Sequence, residues 1–269
     1  MIIRNLPFAE YLARPGVSIS TLKHIRPTPA HLVHYVETEK QESTAEQIIG
    51  TLVHQTLLEP ERAWPQIAEK TEDINLRTKD GKAWRAEQQA AGKIIMTGAE
   101  LDELNNCIDA CIHSPRVSEL LAEGEAEVSL FEEHSFAGHI FALKGRLDFV
   151  PAHEPILIDI KTARDASPEG FGKAVYEHGW HRQAAWYLDL WNDEADKTAA
   201  HHREGFLWIA IEKPTGLLAF YLCPPEWEQK GREENERDLA LYAKCVAENK
   251  WPGYSEKVEL LTMPAWAKR

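Results

Sequence analysis

Ile48, Ile49, Leu52, Val53 and Leu57 recur at the 3.6-residue spacing of an amphipathic helix, which predicts a helix through residues 44–58. Upstream, Val17-Ser-Ile-Ser-Thr-Leu-Lys-His-Ile25 reads as a short helix with Ser18 or Ser20 as N-cap, ended by Pro27 and Pro29. Residues 60–95 lose the period, are rich in turn formers and gather Arg77, Lys79, Lys82 and Arg85, as a solvated face does. Thr97-Gly-Ala-Glu100 has the capping-box pattern and predicts a helix through Ile112, with a further short helical stretch after Pro115. At residue 125 the period changes to two. Glu127–Glu133 and His139–Val150 alternate like half-buried strands, with Gly138 close to the hairpin turn between them. Pro155–Lys161 is nearly continuous apolar, as a strand inside a sheet would be. Helix is expected over about 168–191, strands near 204–212 and 216–223, a polar helix near 225–249, and then a tail rich in Trp and Pro. The order helix, three strands, helix, strand predicts a mixed α/β fold. With no repeat and no evident linker, residues 1–269 read as one domain: a mainly helical part over 1–120, a sheet core over 121–223, and a C-terminal helix and tail over 224–269.

Composition narrows the class. Apolar residues make up 43% and charged residues 27% of the 269, ordinary globular values that exclude disordered and fibrous classes. Thirty basic against 43 acidic residues leave a net charge of −13, which argues against a protein that coats nucleic acid by bulk charge. A cleft needs only local positive charge, so a DNA enzyme stays open. The longest apolar run, Phe206–Ile211, is far short of the ~20 residues that span a bilayer, and the first residues lack the apolar core of a signal peptide, so a cytoplasmic protein without membrane contact is expected. Cysteines at 107, 111, 223 and 245 form neither a disulfide scaffold nor a C-x₂-C zinc pattern.

The candidate chemistry lies in the three-strand block. Alternation puts Asp159 and Lys161 on one face of their strand, with Ile158 and Ile160 on the other. Alone, such a pair reads as a structural ion bridge. Asp148, eleven residues upstream, and Glu127 on the preceding strand can converge on the same spot, though Glu125 shares the face of Glu127. Carboxylates gathered in one cleft repel, and a divalent cation is the usual relief.

Gly145-Arg-Leu-Asp148 followed by Ile158-Asp-Ile-Lys161-Thr resembles the D…(D/E)-x-K signature of the PD-(D/E)xK nuclease superfamily, whose α-β-β-β-α-β restriction-endonuclease-like core the predicted order also resembles. Gly50-Thr-Leu-Val-His54 is similar to the G-x-x-x-H motif of the RecB-like and lambda-exonuclease-like members, and Gln183-Ala-Ala-Trp-Tyr187 to their Q-x-x-x-Y helix motif. With Ser18–Leu22 at one end and Trp251-Pro and Leu261–Lys268 at the other, the likeness extends to the nuclease domains of the RecE (exonuclease VIII) type. The resemblance implies Mg²⁺, with Mn²⁺ as a substitute, held by His54, Asp148, Asp159 and the Ile160 carbonyl. It implies catalytic roles for Glu127, Asp148, Asp159 and Lys161, the lysine orienting or polarising water or stabilising charge on the phosphate. Gln183 and Tyr187 would position DNA or hydrogen-bond the carboxylates, and Arg164, Lys173, His181 and Arg182 are candidate phosphate contacts. The implied activity is 5′→3′ digestion of linear double-stranded DNA that leaves 3′ single strands, with a RecT-like annealing partner and a ring-shaped homo-oligomer. No iron–sulfur cluster is expected, since the cysteines do not bracket the core. A nuclease-fold module that binds DNA without cutting, and a metal-dependent hydrolase of another substrate, are the alternatives.

Overall fold

A computed structural model describes residues 1–38, 43–136, 138–198, 201–264 and 267. The chain opens with β1 (Ile2–Ile3), α1 (Phe8–Ala13), β2 (Val17–Ser18) and α2 (Ile19–Leu22), which tightens into a 3₁₀ turn over Lys23–Ile25. Ser18 is the cap of α2, its side chain accepting from the Thr21 amide. Pro29, expected to end this segment, instead opens α3 (Pro29–Glu37). A proline at the first helical position loses no hydrogen bond, and its φ is already helical. α4 (Ala45–Leu58) starts at Thr44, which forms a reciprocal capping box with Gln47.

Residues 60–95 are more ordered than their composition predicts. They hold β3 (Ile67–Lys70), α5 (Lys79–Ala90) and β4 (Ile94–Thr97), with β3 and β4 paired in parallel. Helix α5 buries only Gly81, so it has no apolar stripe for a periodicity reading to detect. α6 (Gly98–Ile112) begins at the predicted Thr97–Glu100 capping box, and α7 (Pro115–Leu120) follows.

The sheet core comprises β5 (Gly124–Phe136), β6 (His139–Pro151), β7 (Ile156–Ala163), α8 (Pro168–His178), α9 (Trp180–Thr198), β8 (Gly205–Glu212) and β9 (Leu218–Leu222), and α10 (Pro225–Glu248) follows. Gly138, at φ +81°, lies in the β5–β6 turn as expected. The single helix expected over 168–191 is two, broken at Gly179, whose φ of +72° ends α8 in the left-handed region that glycine enters without steric cost. Strand order is β1-β5-β6-β7-β8-β9, with β2 alongside β6. β7 and β8 run parallel, joined by the α8–α9 crossover, while β5, β6 and β7 form an antiparallel meander.

Two cores sandwich this sheet. Ile49, Leu52, Val53, Met96 and Leu104 pack with Ile158, Ile160 and Ile209 on one face. Leu22, Ile25, Phe171, Ala184 and Trp186 pack with Leu147, Leu157, Phe206 and Trp208 on the other. β7 buries Leu157 on one face and Ile158 and Ile160 on the other because it is covered on both, and each fully buried Leu, Ile or Phe contributes about 1.5–3 kcal/mol. No helix among the described residues is long and apolar enough to cross a membrane. In the tail, Val258, Leu260 and Leu261 are exposed, and Ala265, Trp266 and Lys268 of the closing motif lie outside the described residues.

Candidate active site

β6 and β7 are bridged at Phe149 and Ile158, beyond which a side chain takes over from the backbone: the Ile160 amide donates to Asp148 Oδ2 at 2.8 Å. A buried amide must find an acceptor, and here a carboxylate is wedged in where a ladder carbonyl would stand. Across β6, Glu127 sits between the pairs Ala126–Phe149 and Val128–Leu147, yet has a φ of +54°. Left-handed backbone in a non-glycine strand residue costs about 1–3 kcal/mol and persists only where its surroundings enforce it. The Glu127 carboxylate is held by Arg146, whose guanidinium also donates to Ser129 Oγ at 3.1 Å and the Leu6 carbonyl at 2.8 Å. Glu125, the competing candidate, pairs instead with Arg4 at 2.5 Å.

His54 enters from α4, one turn beyond Gly50. A Cβ at Gly50 would lie 3.3 Å from Thr162 Oγ1, so the glycine lets the helix sit close on β7. His54 Nε2 donates to the Ile160 carbonyl at 2.7 Å, and its Nδ1 lies 3.5 Å from Asp148 Oδ2. One ligand atom each from His54, Glu127 and Asp148 lie within 4.8 Å of one another. Two carboxylates and an imidazole nitrogen brought this close could hold a metal ion.

Asp159 lies beside this triad, 1% exposed, its Oδ2 paired with Lys161 Nζ at 2.5 Å and its Oδ1 without a hydrogen-bond partner among the described residues. Burial raises its carboxyl above the ordinary range, Lys161 opposes this, and the charge of Asp148 adds to it. Glu127 is raised in the same sense, first by burial and then by Asp148. Of the residues expected to hold a metal, His54 and Asp148 therefore converge with Glu127, while Asp159 is engaged by Lys161 and the Ile160 carbonyl by His54. The donor set and the unpartnered Asp159 Oδ1 fit a divalent ion. A cleft of about 440 Å³ opens over them, lined by Phe8, Gly50, His54, Glu127, Arg146, Lys161 and Trp180 among others. The Lys161 ammonium stands 5.5 Å from the centroid of the Trp180 ring.

Residues 18–264 match the family described as a PDDEXK-like domain of unknown function (DUF3799). The chain belongs to that family. No curated protein matches it. Among solved structures, a Eubacterium rectale protein provisionally named an exonuclease is similar over 98% of this chain and 96% of its own, with TM-score 0.64 at 12% identity, a likeness of fold alone. A phage-related exonuclease from Haemophilus somnus is also 12% identical, over 90% of this chain and all of its own, but its TM-score of 0.35 carries no weight. The PDDEXK-like fold is thus the restriction-endonuclease-like one expected.

In this PDDEXK-like domain Gln183 and Tyr187 share a helix face and bond each other, Gln183 Nε2 donating to Tyr187 Oη at 3.1 Å. Tyr187 is buried, its ring against β6 where a Cβ at Gly145 would lie 3.0 Å from it, and burial holds its hydroxyl well above the ordinary value. Neither bonds Glu127, Asp148 or Asp159 among the described residues. Of the candidate phosphate contacts, Arg164 is exposed after β7, and its charge, with that of Lys213, contributes to the low carboxyl of Glu46 on the cleft wall, which local hydrogen bonds mainly set. Lys173 is exposed on α8, 3.8 Å from Glu177.

His181 and Arg182 are corrected: at 2% and 1% exposure neither can reach a phosphate. Arg182 Nη2 lies 2.7 Å from Asp238 and its Nε donates to Asn235 at 2.8 Å, while His181 Nε2 lies 3.4 Å from Glu234. The first turn of α9 faces α10 at Gly231, where a Cβ would come within 2.4 Å of the His181 carbonyl. Arg146, Trp180 and Phe8 were not anticipated. Arg146 could have been, because it is two residues from Asp148 and therefore on the same strand face.

Proposed function

We propose that this PDDEXK-like domain is a divalent-metal-dependent nuclease that hydrolyses phosphodiester bonds in DNA. The observation that carries the reading is the convergence of His54, Glu127 and Asp148 beside a buried Asp159–Lys161 pair. When bound by these residues, a divalent cation supplies Lewis acidity, making a water more acidic and screening charge at the phosphate. Asp148 fixes the separation of β6 and β7 through the Ile160 amide, and the Ile160 carbonyl orients His54. Arg146 holds Glu127 in place, and Lys161, the cation at the cleft floor, donates to a phosphate oxygen or to the attacking water.

The finer reading is a RecE-type exonuclease: Mg²⁺ or Mn²⁺ as the ion, 5′→3′ digestion of linear duplex, 3′ tails passed to an annealing protein, and a ring of identical chains. The order of G-x-x-x-H, D…D-x-K and Q-x-x-x-Y along the chain supports it, and the Eubacterium rectale neighbour is provisionally named an exonuclease. The test is incubation of the purified protein with end-labelled linear duplex in Mg²⁺ or in EDTA. Mg²⁺-dependent release of nucleotides is expected. Binding without release would make it a non-cutting module, and neither would leave a hydrolase of another substrate.

A further inference from the structure

Beside the catalytic cleft lies a second groove, about 480 Å³, between α4, α5 and the β3–β4 pair. Lys70, Arg85 and Lys93 line it, and among the described lining residues the one carboxylate is Glu100. That carboxylate is committed, since Glu100 Oε2 accepts from the Thr97 amide at 2.6 Å in the capping box of α6. Lys70 and Lys93 are half-buried, and no carboxylate lies within 4.0 Å of either ammonium among the described residues. Lys70 and Lys93, gathered in one groove on a chain of net charge −13, supply positive charge locally.

The groove and the cleft share a wall. Ala45 and Ile48 of α4 face the groove, whereas Glu46, Gln47, Gly50 and His54 of the same helix face the cleft. A polymer that leaves the cleft across the first turns of α4 meets the groove. We infer that this groove binds the phosphodiester backbone of the DNA substrate outside the catalytic cleft, through Lys70 and Lys93 with Arg85 beside them. The inference rests on the nuclease reading for its ligand. It assigns a purpose to the β3–α5–β4 unit, which contributes no residue to the metal triad.

The test measures affinity for a labelled linear duplex in Ca²⁺ across about 0.05 to 0.2 M salt, where each neutralised phosphate adds about 0.9 to the slope of log K against log salt. Lys70→Gln/Lys93→Gln should lower the slope by about 1.8 and weaken binding, while Lys70→Arg/Lys93→Arg restores both. Lys250→Gln/Lys257→Gln, which removes the same charge elsewhere, should keep the wild-type slope. If the double glutamine variant does not fold, the single variants carry the test at about 0.9 each. A wild-type slope in the glutamine variants overturns the inference. So does inorganic phosphate at matched ionic strength making the wild type behave like the double variant, since the site would then serve a free anion. Cleavage in Mg²⁺ is read separately: a wild type that binds but does not cut sinks the nuclease reading and leaves the slopes to decide the groove, and one that does not bind sinks both.

Discussion

Two clusters of buried charge flank α9, and they are built on opposite terms. Between α9 and α10 the buried carboxylates Asp238 and Glu234 each meet more than one cation: Asp238 lies 2.7 Å from Arg182, 3.0 Å from Arg237 and 3.3 Å from Arg26, and Glu234 pairs with Arg26 and, at 3.1 Å, with Lys230. Burial pulls the Arg182 guanidinium down to about 10, against the pull of Asp238. At the parting of β6 and β7, the cations paired with Glu127, Asp148 and Asp159 among the described residues are Arg146 and Lys161, and His54 brings a ring nitrogen beside Asp148. The first cluster pairs its carboxylates with cations of its own and serves as a brace, although Arg182 Nη1 is buried without a hydrogen-bond partner among the described residues. The second has more acceptors than donors, and that surplus marks a site.

The largest test of this contrast is Asp148→Asn. The amide oxygen can still accept from Ile160, so the midpoint of thermal unfolding in EDTA should stay level, while cleavage falls by about three decades or more as several kcal/mol of transition-state stabilisation are lost. Unfolding of the variant would show that this cluster too is a brace. Next, Lys161→Ala should slow single-turnover cleavage by about 10²–10³ with DNA affinity in Ca²⁺ within a few-fold of wild type. Loss of affinity in step with rate would reduce Lys161 to simple electrostatic attraction.

In the other cluster, Asp238→Ala strands the buried Arg182 and should destabilise by about 3–5 kcal/mol, about 6–20 °C in midpoint, with or without metal. A negligible change would mean that the brace is not one. The smallest effect concerns Asp159→Asn in EDTA. A carboxyl whose folded pKa is raised favours the fold while protonated, and loses that advantage as pH rises from its ordinary value of about 3.9 through the raised one. The asparagine variant should therefore match or exceed the wild-type midpoint at about pH 8, the gain vanishing towards about pH 4. A fall in midpoint at about pH 8 would return the Asp159–Lys161 pair to a structural ion bridge.

Much of the frame is legible along the chain because its causes are local. Thr97 and Glu100 cap α6 through contacts three residues apart, and the spacing of Ile49, Leu52 and Val53 marks the buried face of α4. The Asp159–Lys161 alternation follows from the two-residue period of β7. Pro29 and Gly179 show where local cues have two readings: a proline after a turn can end one helix or begin the next, and an amphipathic stretch can hide a left-handed break.

What the sequence by itself determined, then, was the order of elements and the residue types able to carry the chemistry, since capping, periodicity and strand alternation act within a few residues. Only the tertiary structure decided which carboxylates converge and which cations are consumed. Glu127 joins His54 and Asp148 because the β5–β6 register and a left-handed φ bring it there. His181 and Arg182, next to the Gln183 of the helix motif and equally polar, are spent on an α10 carboxylate cluster more than fifty residues away in sequence. Burial and charge pairing depend on distances between segments remote in sequence, and in low dielectric those distances decide whether a charged side chain is a brace or a site.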